Sequence, residues 1–218
     1  MLEKYKDKET YRRYFESLRF AFYCTTHPLD GFWDLTHEKR GTIAAANTIL
    51  FLTVLVRILK LQLSGFVFVT VYWPSINIFL YIAGTLFPLA LWCVGNWGLT
   101  TLFDGKGKLS QIYMATCYAM LPYPLIQALM ILLSNILTGE EGEFYSVLGV
   151  ISLLWPLMLV IAAMIQIHEY RLGKTIFFML ATVFAMLVMV FILLLFFSMI
   201  SQGVAYFISL AREIMFRL

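Results

Sequence analysis

The sequence predicts an all-α protein, a polytopic transmembrane helical bundle with five spans, a cytoplasmic N-terminus and an outside C-terminus. Of the 218 residues, 61% are hydrophobic and 13% are charged, whereas a soluble domain carries about a quarter charged residues. Five long apolar runs approach or exceed the roughly 20 residues that a helix needs to cross the hydrocarbon core. Lysine and arginine concentrate on one side of these runs, which indicates the cytoplasmic side.

These runs also define the domain organisation. We expect residues 1–41 to form a cytoplasmic amphipathic and juxtamembrane segment, residues 42–211 the membrane domain, and residues 212–218 a C-terminal tail. The segment through Gly41 holds eight lysine and arginine residues and the two loops on its side add four, against four on the opposite side. The spans are predicted at Thr42–Leu63, Ser75–Leu99, Gln111–Leu137, Phe144–His168 and Lys174–Gln202.

The first span contains two positive charges near its end. Arg57 and Lys60 are three residues apart, so they share one face of a helix. We expect both side chains to snorkel to the outer interface, which lets the helix continue to Leu63. Whether Leu61–Val71 forms an outer loop or dips into the membrane stays open.

The segment before the first span contains an amphipathic pattern. Apolar side chains recur every three or four residues in Thr10–Tyr23, with arginines on the other side, which predicts a helix. Such a helix lies in the headgroup layer or packs on the bundle, and the two placements are compatible. The apolar stripe consists of Tyr11, Tyr14, Phe15, Leu18 and Phe22.

A short second helix is predicted to begin at Pro28, because proline is favoured at the first helical position. Imidazoles and carboxylates at spacings of three and four residues in this helix are a possible metal-ligand pattern. Gly31 weakens the helix, and the favoured interpretation is that apolar side chains such as Trp33 anchor in the interface while the charges are solvated. We therefore predict no metal and no cofactor. The residues of the pattern are His27, Asp30, Asp34 and His37.

The loop between the second and third spans reads Phe103-Asp-Gly-Lys-Gly-Lys108, and Asp-Gly favours a turn. Its charges are candidates for contacting a partner or a lipid phosphate, together with the segment before the first span. The predicted docking residues are Asp30, Trp33, Asp34, His37, Lys39, Arg40, Asp104, Lys106 and Lys108.

Within the membrane, the central turns of the second to fifth spans hold no charged residue, which argues against an ion-coupled pump. Uncharged polar side chains and small residues there predict helix packing, and prolines predict kinks in three spans. No combination typical of a catalytic site occurs, and the net charge of +3 gives no reason to expect nucleic-acid binding. The intramembrane polar and packing residues are Asn47, Asn96, Gln127, Gly95, Gly98, Ala115, Ala119 and Pro122, and the other prolines are Pro88, Pro124 and Pro156.

Several short motifs along the chain form a distinctive combination. They are Asp30-Gly-Phe-Trp-Asp-Leu35, Asn96-Trp97, Thr101-Leu-Phe-Asp-Gly105, Ala115-Thr116, Tyr118-Ala119 and Pro122-Tyr123. In combination these motifs resemble the Yip (Ypt/Rab-interacting protein) domain family of polytopic membrane proteins. The resemblance covers about residues 27–211, and the five spans agree with it.

Eukaryotic members of that family act in ER–Golgi traffic with Rab-type GTPases, but this chain has a short cytoplasmic segment and lacks the Asp-Leu-Tyr-Gly-Pro element of that branch. It is more similar to bacterial members, some of which are associated with ABC transporters. The resemblance thus implies a non-enzymatic accessory or scaffold protein of a bacterial plasma membrane, with transporter subunits or a second copy as partner, and no Rab-type GTPase. A eukaryotic member would belong in Golgi or ER membranes.

Two other functions stay open at this stage. One is a channel or transporter for small solutes or lipids, with the intramembrane polar residues and the proline kinks lining a path. The other is membrane shaping by the N-terminal helix and an amphipathic tail at Val204–Leu218.

Overall fold

The computed structural model describes residues 2–68 and 76–217, and the described part contains helices but no strand. The predicted start of the second span at Ser75 and the end of Leu61–Val71, from residue 69 onward, lie outside the described residues. A short 3-10 helix, Gly139–Glu141, precedes the seventh helix. The helices are α1 (Leu2–Thr26), α2 (Pro28–His37), α3 (Ile43–Leu63), α4 (Ile78–Leu102), α5 (Leu109–Ala119), α6 (Pro122–Ser134), α7 (Gly142–His168) and α8 (Leu172–Arg217).

The five predicted membrane spans are confirmed. Each of five helical stretches is long and apolar enough to cross a bilayer. At one end of the bundle, the α4–α5 loop meets the α7–α8 loop, where Lys106 contacts Glu169. At the other end, the backbone N–H of Gly65 donates to Ser134 Oγ at 2.9 Å. We call these the loop end and the far end, and the loop end is the one predicted to be cytoplasmic. The spans are Ile43–Leu63, Ile78–Leu102, Leu109–Ser134, Gly139–His168 and Leu172–Leu210.

The third span is interrupted where two prolines lie close together. α5 ends at Ala119 and α6 begins at Pro122, because Pro122 and Pro124 together remove two N–H donors from the helical ladder. The backbone N–H of Leu121 bonds to the Tyr118 carbonyl at 3.2 Å in place of a regular helical bond. In contrast, α4 runs on past Pro88 and α7 past Pro156 without interruption.

The fifth span is longer than predicted, and the tail from residue 204 to residue 217 continues the same helix. α8 continues through Gly203 to Arg217 as one helix of 46 residues, which is about 69 Å long. No proline or capping motif follows Gln202, and one glycine costs a helix only about 1 kcal/mol. The predicted end of the span was chosen from the thickness of a bilayer. That thickness limits the part of a helix that lies in the membrane but does not end the helix itself.

The hydrophobic core lies in the loop-end half of the bundle. Phe20, Ala21 and Cys24 of α1 are buried there, where α1 packs on α2, α3 and α5. The aromatic side of α1 stays open, with Tyr11 65% exposed and Phe15 64% exposed. One face of α1 therefore packs on the bundle, and a neighbouring face remains available to the membrane interface.

Candidate functional site

The loop end brings together the residues predicted to contact a partner. We call the surface formed by residues 28–41, 103–108 and 169–171 the loop face. Glu169 joins its three parts, because its Oε2 accepts a hydrogen bond from Lys106 Nζ at 2.6 Å and its Oε1 lies 3.8 Å from His37 Nε2. Docking residues predicted from two separate segments of the sequence thus lie side by side.

Arg40 stabilises the connection between α2 and α3. Its Nη1 donates to Asp34 Oδ2 at 2.9 Å, and its Nε lies 3.8 Å from Glu38 Oε2. The guanidinium also lies over the ring of Phe20, 5.1 Å from the centroid. Asp34 and Arg40, both predicted docking residues, therefore bond to each other and hold the loop face in shape.

Other side chains on the loop face remain open to a partner. Trp33 is 45% exposed, and its ring stacks on His37 with the centroids 3.7 Å apart. Asp30, Lys39 and Lys108 are exposed and belong to none of the ion pairs that the described residues form. Asp104 is exposed as well. The four predicted metal-ligand candidates form no such site, since no group of three or more potential ligands occurs in the described part of the chain.

The glycine-rich α4–α5 loop lies directly on the end of α7. A Cβ added to Gly107 would meet Ile167 Cγ2 at 2.5 Å and His168 Cε1 at 2.6 Å. A Cβ on Gly105 would meet the carbonyl oxygen of Thr100 at 2.8 Å. All three distances are far shorter than van der Waals separation. Glycine at position 107 therefore lets the loop approach α7, and glycine at position 105 lets it fold back on the end of α4.

A buried hydrogen-bond network lies beneath that loop. His168 is 3% exposed and Asn96 is 1% exposed. His168 Nε2 lies 2.9 Å from Asn96 Oδ1, and Asn96 Nδ2 donates to Thr182 Oγ1 at 3.2 Å. Since the amide oxygen can only accept, Nε2 carries the imidazole proton. The network joins α4, α7 and α8 below the loop face.

A second network joins α1, α3 and α5. Ser17 Oγ and Tyr118 Oη form a buried hydrogen bond, and both oxygens accept from the backbone N–H of Thr42, at 2.9 Å and 3.2 Å. The Thr42 hydroxyl caps α3 by accepting from the Ala45 N–H at 3.3 Å. Sequence reasoning missed Ser17, Tyr118 as a hydrogen-bonding group, and the burial of His168, and no spacing pattern marks these residues.

Three non-glycine residues in the described chain have left-handed backbone conformations, and all three lie on the loop face. Their φ angles are 53° at Lys39, 61° at Asp104 and 54° at Glu169. Such conformations cost on the order of 1–3 kcal/mol each and tend to cluster at functional sites. Because all three strained residues lie on the loop face, we take this surface as the candidate functional site.

An open, mainly basic groove of about 1240 Å³ lies between α1 and the connection from α2 to α3. Arg12 pairs with Glu16 at 2.8 Å, which raises the pKa of Arg12. The groove is lined by Glu9, Arg12, Arg13, Glu16, Arg19, Phe20, Phe22, Tyr23, Thr26, Glu38, Lys39 and Arg40.

Cys24 lies outside this groove. Burial at the α1–α2 contact raises the pKa of the Cys24 thiol to about 12, which keeps this thiol protonated at neutral pH.

The Glu169 bridge has a pH dependence that can be measured directly. The Lys106 hydrogen bond lowers the pKa of Glu169, so the contact persists above the ordinary pKa of a glutamate and is lost as the pH falls through the lowered value. We expect a ¹³C NMR titration of the Glu169 carboxylate to have a midpoint below the usual glutamate range. In Lys106→Met the midpoint should return toward that range, and equal midpoints in the two proteins would contradict the bridge.

The predicted intramembrane residues occupy helix contacts to different extents. Asn47 Oδ1 accepts from Tyr113 Oη at 2.6 Å, and Gln127 Nε2 donates to Ser152 Oγ at 2.7 Å. Ala115 and Ala119 are fully buried, and Pro122 is buried at the start of α6. A Cβ on Gly95 would meet Met189 Cε of α8 at 2.9 Å, whereas one on Gly98 would meet nothing within 4 Å.

The snorkelling predicted for the two cations of α3 was wrong. Arg57 Nη1 donates to Thr85 Oγ1 of α4 at 2.6 Å, and Lys60 Nζ donates to Gln127 Oε1 of α6 at 2.8 Å. Both side chains turn toward neighbouring helices because these helices present buried oxygen acceptors. A spacing pattern identifies the face of a helix but not the groups that lie opposite.

A comparison with protein-family models matches the Yip1 domain over residues 22–208. The chain belongs to the Yip1 domain family. No curated protein and no solved structure matches it. The match to the Yip1 domain begins near the end of α1 and extends far into α8, so it includes the whole loop face. It supports the coarse conclusion that this is a multi-pass membrane protein of the Yip family.

Proposed function

We propose that this member of the Yip1 domain family is a non-enzymatic accessory or scaffold protein that docks a membrane partner through its loop face. The proposal rests on one observation: the loop face is held in a fixed shape, yet several of its charged and aromatic side chains are exposed and free to contact a partner. Hydrogen bonds and close glycine contacts hold the loops of this surface, while Asp30 and Trp33 of α2 and Lys39 after it remain exposed. An exposed tryptophan flanked by charges is typical of the residues that dominate protein interfaces.

The partner proposed is another integral membrane protein, with ABC transporter subunits in a bacterial plasma membrane as the leading candidate. The excess of lysine and arginine on the loop-end side supports a cytoplasmic loop face. A second copy of the chain is the other partner that this surface suits.

The experiment is a mild-detergent pull-down from the native host with the full chain tagged at its N-terminus. We expect Asp30→Asn/Trp33→Ala to reduce partner recovery at least tenfold while membrane insertion is unchanged. Tenfold corresponds to about 1.4 kcal/mol, which the loss of one central tryptophan readily exceeds. Asp34→Asn, added as a third change, should reduce recovery further, because it also releases Arg40.

A matched control removes the same chemistry from the far end of the bundle. Glu143→Gln/Phe144→Ala also neutralises one carboxylate and deletes one exposed aromatic ring. We expect this control to recover the partner like the unmodified chain. Equal recovery by the loop-face variant and the unmodified chain would remove the docking assignment, and loss in both variants would indicate a general effect on the fold.

A further inference from the structure

Two cations of α3 enter the far-end half of the bundle without an acidic partner. None of the ion pairs among the described residues includes Arg57 or Lys60. Residues 69–75, which lie outside the described part, contain no aspartate or glutamate. The acceptors of both cations are neutral oxygens, the Thr85 hydroxyl at 2.6 Å and the Gln127 amide at 2.8 Å.

The depth of these acceptors makes the missing counter-charge important. Thr85 lies seven residues inside α4 and Gln127 lies seven residues before the end of α6, which is about 10 Å from the helix ends in each case. α3 has 21 residues and is about 31 Å long, which matches a hydrocarbon core of roughly 30 Å. The two cationic groups are thus drawn from the membrane boundary into the membrane interior. An unpaired charge is costly in that interior.

Donor groups remain on both cations and around them. A guanidinium has five N–H donors and an ammonium three, and the described structure gives Arg57 and Lys60 one hydrogen bond each. Ser64 Oγ and Tyr145 Oη are both buried and face each other. Ser64 follows Lys60 by one helical turn at the end of α3, so these hydroxyls belong to the same end of the bundle.

We propose that Arg57 and Lys60 form a binding site for a phosphate group, that of an anionic phospholipid headgroup, between α3, α4 and α6 at the far end. An arginine fork with an adjacent lysine charge suits the oxygens of a phosphate. Phospholipid phosphates lie just outside the hydrocarbon boundary, and both side chains are partly exposed on long stems that can turn back toward that boundary when a phosphate is offered there. The site is independent of the loop face, which lies at the other end of the molecule.

The first test compares two lipids that differ in net charge. The full chain in mild detergent is titrated with phosphatidylglycerol and with phosphatidylcholine of the same acyl chains, and bound lipid is counted by native mass spectrometry. We expect one site with a dissociation constant at least tenfold lower for phosphatidylglycerol. Equal affinity for the two lipids would overturn the proposal without any variant being needed.

The second test changes the site. Arg57→Gln/Lys60→Gln should weaken phosphatidylglycerol binding at least tenfold. Arg57→Lys/Lys60→Arg keeps both charges but moves the guanidinium fork, so it should weaken binding less than the doubly neutral variant does. The matched control Arg171→Gln/Lys174→Gln removes two charges at the loop end and should bind like the unmodified chain. Unchanged binding by the doubly neutral variant would overturn the site.

The third test identifies the source of the phosphate. Inorganic phosphate at millimolar concentration is added to the chain loaded with phosphatidylglycerol. Retention of the lipid supports a headgroup site, and displacement supports a phosphate site that a soluble ligand fills. Should Arg57→Gln/Lys60→Gln fail to fold, judged by circular dichroism, the single variant Lys60→Gln replaces it, and binding equal to that of the unmodified chain then counts against the site.

Discussion

Replacing Gly107 with alanine is expected to destabilise the protein by about 1–3 kcal/mol, which is typical of forcing extra volume into a packed site. The new methyl group would meet Ile167 Cγ2 at 2.5 Å and His168 Cε1 at 2.6 Å. Both neighbours are buried on the last turn of α7, and His168 is bonded to Asn96 at 2.9 Å. The imidazole cannot move aside without breaking that bond, so the loop must lift from α7.

Two measurements check this expectation. The midpoint of unfolding in detergent, followed by circular dichroism, should fall in Gly107→Ala. The Glu169 carboxylate should also titrate closer to the ordinary glutamate range, because lifting the loop carries Lys106 away from it. If Gly107→Ala has the same Glu169 titration midpoint and the same unfolding midpoint as the unmodified chain, the loop does not lie against α7.

Gly98→Ala is the matched control for that experiment. Gly98 lies inside α4, and a Cβ there would meet nothing within 4 Å. Alanine is favoured over glycine in a helix by up to about 1 kcal/mol, so this variant should be as stable as the unmodified chain or slightly more so. A loss of stability equal to that of Gly107→Ala would indicate a general intolerance of glycine substitutions.

Features that depend on the local sequence were predictable. Apolar run length predicted the five spans, Pro28 predicted the start of α2, and Asp104-Gly105 predicted a turn between spans. In each case the physical cause lies within a few residues: hydrophobic length, a fixed φ angle, or turn chemistry.

Features that depend on which helices become neighbours were not predictable. Arg57 and Lys60 turn inward because α4 and α6 present Thr85 and Gln127 to them. His168 was expected at a cytoplasmic span end, yet it is buried because the α4–α5 loop covers it. The spacing of residues along one helix carries no information about such a cover. The docking role of the loop-face residues stays a prediction.

Replacing Asn96 with leucine is the second large effect expected. The side chains are similar in size, so the main change is that the buried His168 Nε2–H loses its acceptor at 2.9 Å. A buried donor left without a partner costs about 1–3 kcal/mol. Thr182 suffers less, because its hydroxyl still donates to the Phe178 carbonyl at 2.7 Å. The unfolding midpoint in detergent should fall accordingly.

A double-mutant cycle separates this hydrogen bond from packing. Asn96→Leu/His168→Leu removes both partners, and replacing both by apolar groups is much less costly than orphaning one. We therefore expect the double variant to be more stable than the sum of the single effects predicts, by about 0.5–3 kcal/mol. Strict additivity would show that Asn96 and His168 do not interact.

Asn47→Leu is the control with the same substitution at an exposed amide. Asn47 accepts from Tyr113 Oη at 2.6 Å, but its side chain lies on the outside of the bundle, where leucine is well tolerated in lipid. The expected loss is about 0.5–1.5 kcal/mol or less, the net value of one ordinary hydrogen bond. A larger loss at Asn47 than at Asn96 would contradict the view that burial beneath the loop face, rather than the amide itself, makes the Asn96 contact important.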